Sequence, residues 1–150
     1  MKISILLPYK ENYSPEYPGA VSLFVHATTK LSNFKDKISI YGNTDLKKKL
    51  SNNYINIPLD KSNFFKSQSK EYVNKFIKLH ATVKTEIVEI HNRPNYVNLV
   101  KTINSKIVLY FHNDPISMVG SKKIIERIKL LTICEKIIFN SEWSKKRFLK

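Results

Sequence analysis

The sequence predicts an α/β fold in which helices cover both faces of a parallel sheet. Short β-branched runs alternate along the chain with segments whose apolar residues recur at helical spacing, and this alternation is typical of βαβ units. The first run, residues 2–7, is apolar without polar alternation, as expected of a strand buried on both faces. The chain of 150 residues has the size of one domain with its own core, so we treat residues 1–150 as a single domain.

The first half of the chain supplies three strands and two helices. A polar loop at residues 8–18 follows the first strand, and Gly19 then opens a helix with apolar residues at i, i+3 and i+4. Further strands are predicted at residues 37–41 and 54–59, and residues 60–69 are polar and irregular. The next helix has one apolar side, which consists of Tyr72, Val73, Phe76, Leu79, His80 and Val83.

The second half repeats the alternation with strands at residues 86–90, 106–111 and 136–139. A short helix begins near Pro94, since proline is favoured in a first turn. A helix over residues 121–133 is expected to bury one apolar side and to expose one basic side. The buried side would consist of Ile124, Ile125, Ile128 and Leu131, and the exposed side of Lys122, Lys123, Arg127 and Lys129.

The chain is strongly basic, with a formal net charge of +14. Nearly all of this charge comes from lysine, and the only arginines are Arg93, Arg127 and Arg147. Proteins that read bases favour arginine for bidentate contacts, so the composition does not favour nucleic acid as a partner. An anionic membrane surface or a phosphorylated ligand suits the charge better.

Several chemistries are excluded because their motifs are missing. The sequence has no G-x-x-x-x-G-K-[ST] loop, no G-x-G-x-x-G after the first strand and no G-x-S-x-G elbow. It has no Cys/His pattern or D-x-D pair for a metal, so we expect neither a metal nor a cofactor. Cys134 is the only cysteine, which suggests the reducing cytosol as the compartment.

Two predicted strands end in the same way, with His-Asn-X-Pro. Residues 87–90 lead into His91-Asn92-Arg93-Pro94, and residues 107–111 lead into His112-Asn113-Asp114-Pro115. Ligands bind at the carboxyl edge of a parallel sheet, where His112 could act as an acid or base and Arg93 could clamp an anion. The alternatives are a histidine that satisfies a loop backbone and an arginine in a surface ion pair.

Helix starts supply further candidates. The Gly19-Ala20 turn would let a ligand approach the first helix, whose N-terminal amides favour an anion, although an ordinary loop-to-helix turn explains it equally well. Gly120-Ser121-Lys122 could likewise hold an anion at a helix start, but capping of the helix by Ser121 is the simpler interpretation. Ser141 follows the last strand and is also interpreted more simply as a cap.

These segments, taken in order, resemble the N-terminal domain of a GT-B glycosyltransferase of the large retaining family four. The resemblance covers almost the whole chain and includes the Pro18-Gly19-Ala20 turn, both His-Asn segments and the stretch 137–143 that contains Asn140-Ser141. It implies a Rossmann-like three-layer domain that forms one half of a GT-B architecture. It also implies that the C-terminal donor-binding domain, which carries a pair of glutamates seven residues apart, is absent from this chain.

The resemblance assigns roles to particular positions. It implies that Gly19 and Ala20 approach the diphosphate of a nucleotide-sugar, and that His112 is the catalytic-site histidine near the transferred sugar. It implies that the His91-Asn92-Arg93 segment faces the acceptor. By the same resemblance, substrate contacts are expected from Asn113, Asp114 and Ser141.

The sequence therefore supports two functional hypotheses. The first is the acceptor-side domain of a cytoplasmic glycosyltransferase that builds cell-surface glycans or modifies lipid-linked acceptors, inactive alone or one part of a split enzyme. The second is a non-catalytic basic α/β module recruited to an anionic membrane or to a partner protein. Residues 121–150 carry nine basic and three acidic groups, a local excess of +6, and either protein would sit peripherally on the inner face of the membrane.

Overall fold

The computed structural model describes residues 1–59 and 67–150. Most of the segment predicted to be irregular, residues 60–66, lies outside the described residues. Strands and helices alternate as the sequence predicts. The elements are β1 (Ile3–Leu6), α1 (Ala20–Leu31), β2 (Ile38–Gly42), β3 (Tyr54–Asn56), α2 (Gln68–Val83), β4 (Ile87–His91), α3 (Pro94–Val100), β5 (Lys106–Phe111), α4 (Ile124–Ile133), β6 (Lys136–Phe139) and α5 (Glu142–Leu149).

The six strands form one parallel sheet in the order β3-β2-β1-β4-β5-β6. This is the strand order of the Rossmann fold, so the predicted Rossmann-like α/β class is confirmed. The order reverses between β1 and β4, where consecutive crossovers run to opposite sides. In open α/β sheets this switch point opens a crevice outside the carboxyl ends of the strands.

Helices cover the two faces of the sheet unequally. On one face, α1 packs Val21 and Val25 against Ile5 and Leu7 of the first strand and its end. On the other face, the four remaining helices enclose the larger core, which includes Leu6, Tyr41, Tyr72, Phe76, Ile90, Tyr96, Val97, Leu109, Phe111, Leu130 and Phe148. The result is a three-layer domain, and β1 is buried on both faces as predicted.

Because side chains alternate along a strand, β4 divides its residues between these two layers. Val88 and Ile90 enter the larger core, so Glu89 and His91 face the side of α1. The register pairs Glu89 with Ile5 of β1, which places a carboxylate beside the apolar layer under α1. The sheet therefore presents polar groups on the face that leads to the switch point.

The prediction for α4 was wrong in its orientation. Its four predicted core residues, Ile124, Ile125, Ile128 and Leu131, are all exposed, between 49% and 64%. Arg127, predicted to be exposed, is only 6% exposed, and Leu130 beside it is 1% exposed.

The reversal has a local cause in the turn before the helix. The Arg127 guanidinium donates to the carbonyl oxygens of Ser121 and Lys122, at 3.1 and 2.8 Å. Ser121 does not cap the helix, which begins at Ile124 after Lys123; its hydroxyl instead donates to the carbonyl oxygen of Pro115. With Arg127 held in this turn, the sheet-facing side of α4 runs through Arg127 and Leu130, and the isoleucines face outward.

Candidate functional site

A cleft lies at the switch point, where the carboxyl ends of β1, β4 and β5 meet the start of α1. Its volume is about 250 Å³. Five of the residues predicted from the sequence line it, namely Ala20, Asn92, Arg93, His112 and Asn113, together with Pro8, Glu11 and Val21. The structure thus brings both His-Asn segments to one cleft at the edge where parallel α/β sheets bind ligands.

The N-terminus of α1 is already occupied by a carboxylate of the same chain. Glu11 accepts a hydrogen bond from the backbone N–H of Ser22 at 3.0 Å, and a side chain added at Gly19 would overlap this carboxylate. Gly19 therefore leaves room for Glu11, which fills the position predicted for an anionic ligand. In the sequence, Glu11 was marked only by its acidic side chain and its place in the loop before the helix.

We expect removal of the Glu11 carboxylate to open this helix terminus to a phosphate. Pyrophosphate should bind Glu11→Ala about tenfold more tightly than the natural chain, because a like charge is removed and N–H groups become free. Glu11→Gln, which can still accept from Ser22, should fall between the two. Calorimetric titration gives the affinities, and equal affinity for all three proteins would show that this terminus holds no anion.

Asn92 ties the ends of β4 and β5 together. Its backbone has φ of 52°, and its buried Oδ1 accepts from the backbone N–H groups of His112 and Asn113, at 2.8 and 3.3 Å. Asn92 lines the cleft, but its side-chain oxygen is already used by the backbone. Its role in this geometry is to hold the loop that carries His112.

The two histidines predicted for separate roles are joined in one hydrogen-bonded chain. Glu89 Oε1 lies 2.7 Å from His91 Nε2, and His91 Nδ1 lies 2.8 Å from His112 Nε2. His91 is fully buried and does not line the cleft, whereas the partly buried His112 does. Glu89 was missed in the sequence, although its position two residues before His91 places both side chains on one face of the strand.

Aromatic rings enclose this chain of hydrogen bonds. The Tyr110 ring stacks on that of His112 with centroids 4.4 Å apart, and Phe24 of α1 meets His112 edge-on at 4.8 Å. Burial, followed by the neighbouring His91, lowers the pKa of His112 to about 4. His112 is therefore a neutral imidazole near pH 7, which donates a hydrogen bond from one ring nitrogen and accepts one with the other.

Arg93 is the cationic group of the cleft. Its guanidinium donates to the carbonyl oxygen of Asn92 at 2.7 Å, and no ion pair to it is found among the described residues. It also lines a neighbouring cavity of about 330 Å³ with Ser69 and Asn95. The remaining donors of a planar guanidinium suit a carboxylate or phosphate at this position.

Two predicted substrate contacts have local roles outside the cleft lining. Asp114 pairs with Arg147 at 2.9 and 3.3 Å, and this hydrogen-bonded arginine lowers the pKa of the Asp114 carboxyl. The hydroxyl of Ser141 accepts from the Ser144 backbone N–H at 3.1 Å and caps α5, as the simpler interpretation of the sequence held. Neither Asp114 nor Ser141 lines the cleft.

The described residues contain no cluster of three or more metal-ligating His, Cys, Asp or Glu side chains. Within residues 1–59 and 67–150, no helix is both long and apolar enough to cross a membrane. Comparison with protein-family models, curated proteins and solved structures finds no match to this chain. The fold and the cleft define the class as a Rossmann-like α/β domain with a polar crevice at its switch point.

Proposed function

We propose that this chain is the acceptor-side, N-terminal domain of a GT-B glycosyltransferase of the retaining family four type. In the complete enzyme it would help to transfer a sugar from a nucleotide-sugar to a cell-surface glycan or a lipid-linked acceptor. The observation that carries the proposal is the switch-point cleft, which combines His112, Arg93 and Asn113 at the carboxyl edge of a sheet in Rossmann order. This combination of groups suits a ligand with both hydroxyl and anionic parts.

Each side chain has a role in this proposal. The neutral imidazole of His112 hydrogen-bonds a hydroxyl of the sugar that is transferred. Arg93 pairs with a phosphate or carboxylate. The exposed amide of Asn113 offers two donors and an acceptor to hydroxyl groups.

The size of the cleft supports a site shared with a second domain. A volume of about 250 Å³ lies below the ~300–1,000 Å³ common for sites that enclose a small molecule. A nucleotide-sugar would fill this volume and extend beyond it. In the proposal, a donor-binding domain supplies the opposite wall, and nucleic acid is not a partner.

The direct test supplies that second domain. The chain is joined to a donor-binding domain of the same glycosyltransferase family, and release of nucleotide from a panel of UDP-, GDP- and ADP-sugars is measured. We expect release that His112→Ala lowers by 10²-fold or more, about the contribution of one positioned acid–base or polar group. The control is His26→Ala, since His26 lies away from the cleft, and absence of release from every donor would contradict the proposal.

A second candidate function is supported by the outward face of α4. Its four exposed apolar residues, Ile124, Ile125, Ile128 and Leu131, lie beside the exposed Lys122, Lys123 and Lys129. An apolar stripe bordered by lysines is typical of helices that lie in the interface of an anionic membrane. This candidate is a peripheral module, which can coexist with the enzymatic proposal because a lipid-linked acceptor lies at the same surface.

For this second candidate we expect the chain to sediment with vesicles rich in phosphatidylserine. Ile125→Ser/Ile128→Ser should weaken binding about tenfold or more, because each aliphatic group contributes roughly 1.5–3 kcal/mol when fully buried. Leu23→Ser/Leu31→Ser, on the exposed side of α1, is the matched control. Equal loss in both double variants, or binding that ignores salt, would contradict docking of α4 on an anionic surface.

A further inference from the structure

We propose that Glu89, His91 and His112 form a proton relay, in which a proton taken from a hydroxyl in the cleft is stored on the buried His91. The relay follows from the two hydrogen bonds of 2.7 and 2.8 Å that join the three side chains. That the hydroxyl belongs to a sugar rests on the proposed function. The relay itself does not depend on the identity of the ligand.

The hydrogen bonds determine where the protons lie at rest. An ionised carboxylate only accepts, so His91 Nε2 must carry the hydrogen that points to Glu89. In neutral His91 the other nitrogen, Nδ1, is then an acceptor, and His112 Nε2 must donate to it. His112 is left with an unprotonated Nδ1, which has no partner among the described residues, in an imidazole that lines the cleft.

The transfer balances without another reagent. A hydroxyl in the cleft gives its proton to His112 Nδ1, and the N–H bond at His112 Nε2 breaks as its proton passes to His91 Nδ1. His112 is again neutral, now with hydrogen on Nδ1, and His91 is an imidazolium beside the Glu89 carboxylate. The alkoxide that forms carries the compensating negative charge, and it regains a proton by the reverse path.

The surroundings favour charge on His91 over charge on His112. Glu89 contacts His91 directly and keeps 26% of its side chain exposed, so it can remain an ionised partner for a buried imidazolium. Both histidines contact the Phe24 and Tyr110 rings, but His112 lies closer to them, at 4.8 and 4.4 Å against 6.3 and 5.4 Å for His91. Within the described residues no carboxylate contacts the His112 ring, and the cation Arg93 lines the same cleft. Burial lowers the pKa of His112 to about 4, which agrees with a histidine that passes a proton on.

Other titratable groups near the relay are placed to modify it. Glu11 lines the cleft with His112, and burial together with Glu89 raises the pKa of Tyr110. Tyr110 is therefore neutral at physiological pH. Glu11 and Arg93 contribute opposite charges at the cleft. In this arrangement His112 is the catalytic residue, and Glu89 and His91 are positioning residues that act through it.

The test is a pH titration of ¹⁵N-histidine-labelled full-length chain by imidazole NMR, with no ligand added. In the natural chain we expect His91 to take up the first proton, and His112 to change from hydrogen on Nε2 to hydrogen on Nδ1 at the same pH. Glu89→Gln should lower the apparent pKa of this coupled step by about one unit or more, since the charge that stabilises the imidazolium is removed. Glu135→Gln, which changes an exposed carboxylate, should leave it unchanged.

Three outcomes would overturn the relay. They are protonation of His112 before His91, a tautomer of His112 that does not change when His91 is charged, and an unchanged titration in Glu89→Gln. If Glu89→Gln does not fold, Glu89→Asp gives the same test, because the shortened carboxylate should no longer contact His91 and the coupled step should shift as in the glutamine variant. The titration needs no sugar, so failure of the glycosyltransferase proposal would appear separately, in the nucleotide-release assay.

Discussion

Asn92→Ala is expected to lower the free energy of unfolding by about 3 kcal/mol and to release His112 from its position. Two backbone N–H groups, that of the half-buried His112 and that of the more exposed Asn113, would lose their acceptor. A buried unsatisfied group costs about 1–3 kcal/mol, and the exposed Asn113 lies at the low end of that range. Alanine would also have to adopt the positive φ of 52°, which adds roughly 1 kcal/mol. Urea unfolding followed by circular dichroism measures the total.

Two further variants at position 92 separate the cost of the lost hydrogen bonds from the cost of the positive φ. Asn92→Gly accepts the positive φ but provides no oxygen, so it should lose most of the same stability. Asn92→Asp tolerates that φ and keeps an acceptor, so it should remain within about 1 kcal/mol of the natural chain. Equal stability of the alanine and aspartate variants would contradict the role of Oδ1 in joining the two strand ends.

Gly120→Ala is expected to destabilise the chain by about 2–4 kcal/mol, from positive-φ strain together with steric overlap. Gly120 has φ of 95°, and a Cβ added there would lie 2.6 Å from the backbone nitrogen of Asn95 and 2.8 Å from its Cα. The Cβ meets backbone at the start of α3, which cannot move without shifting the strand end that carries Arg93. Thermal and urea unfolding would both report the loss.

The matched control is Gly19→Ala. There an added Cβ meets the Glu11 carboxylate, which is the end of a flexible side chain and can rotate away. Because φ at Gly19 is −77°, alanine adopts it without strain, and the cost should stay near 1 kcal/mol, mostly from the displaced carboxylate. Similar losses in both variants would mean that the contact of Gly120 with α3 is not a rigid one.

Much of the fold could be predicted because local and global signals agree. The mainly apolar β1 segment and the Pro94 start of α3 each point to one structure, and both are found. Helix α4 could not be oriented from periodicity, because its sequence offers two stripes that follow helical spacing. The choice between these stripes depends on Arg127, whose guanidinium donates to two carbonyl groups of the preceding turn. The hydrophobic pattern of the sequence does not reveal this contact.

The candidate site, like the fold, could be predicted only in part from the sequence. Strand ends could be read from the chain, so His112 and Arg93 were predicted and both line the cleft. Glu11 and Glu89 were missed because their importance comes from spatial contacts, one with a helix terminus and one with His91. His91 was predicted to face an acceptor at a strand end, yet it is fully buried and the Phe24 and Tyr110 rings pack against it.

Residue-resolved NMR shows whether the switch-point cleft binds the ligand. ¹⁵N-labelled chain is titrated with UDP-, GDP- and ADP-sugars up to millimolar concentration. We expect shift changes centred on Ala20, Asn92, Arg93, His112 and Asn113, while the α4 resonances stay unchanged. In Arg93→Ala these shift changes should be lost. Shift changes that cluster away from these strand ends, or that persist undiminished in Arg93→Ala, would contradict ligand binding in the cleft.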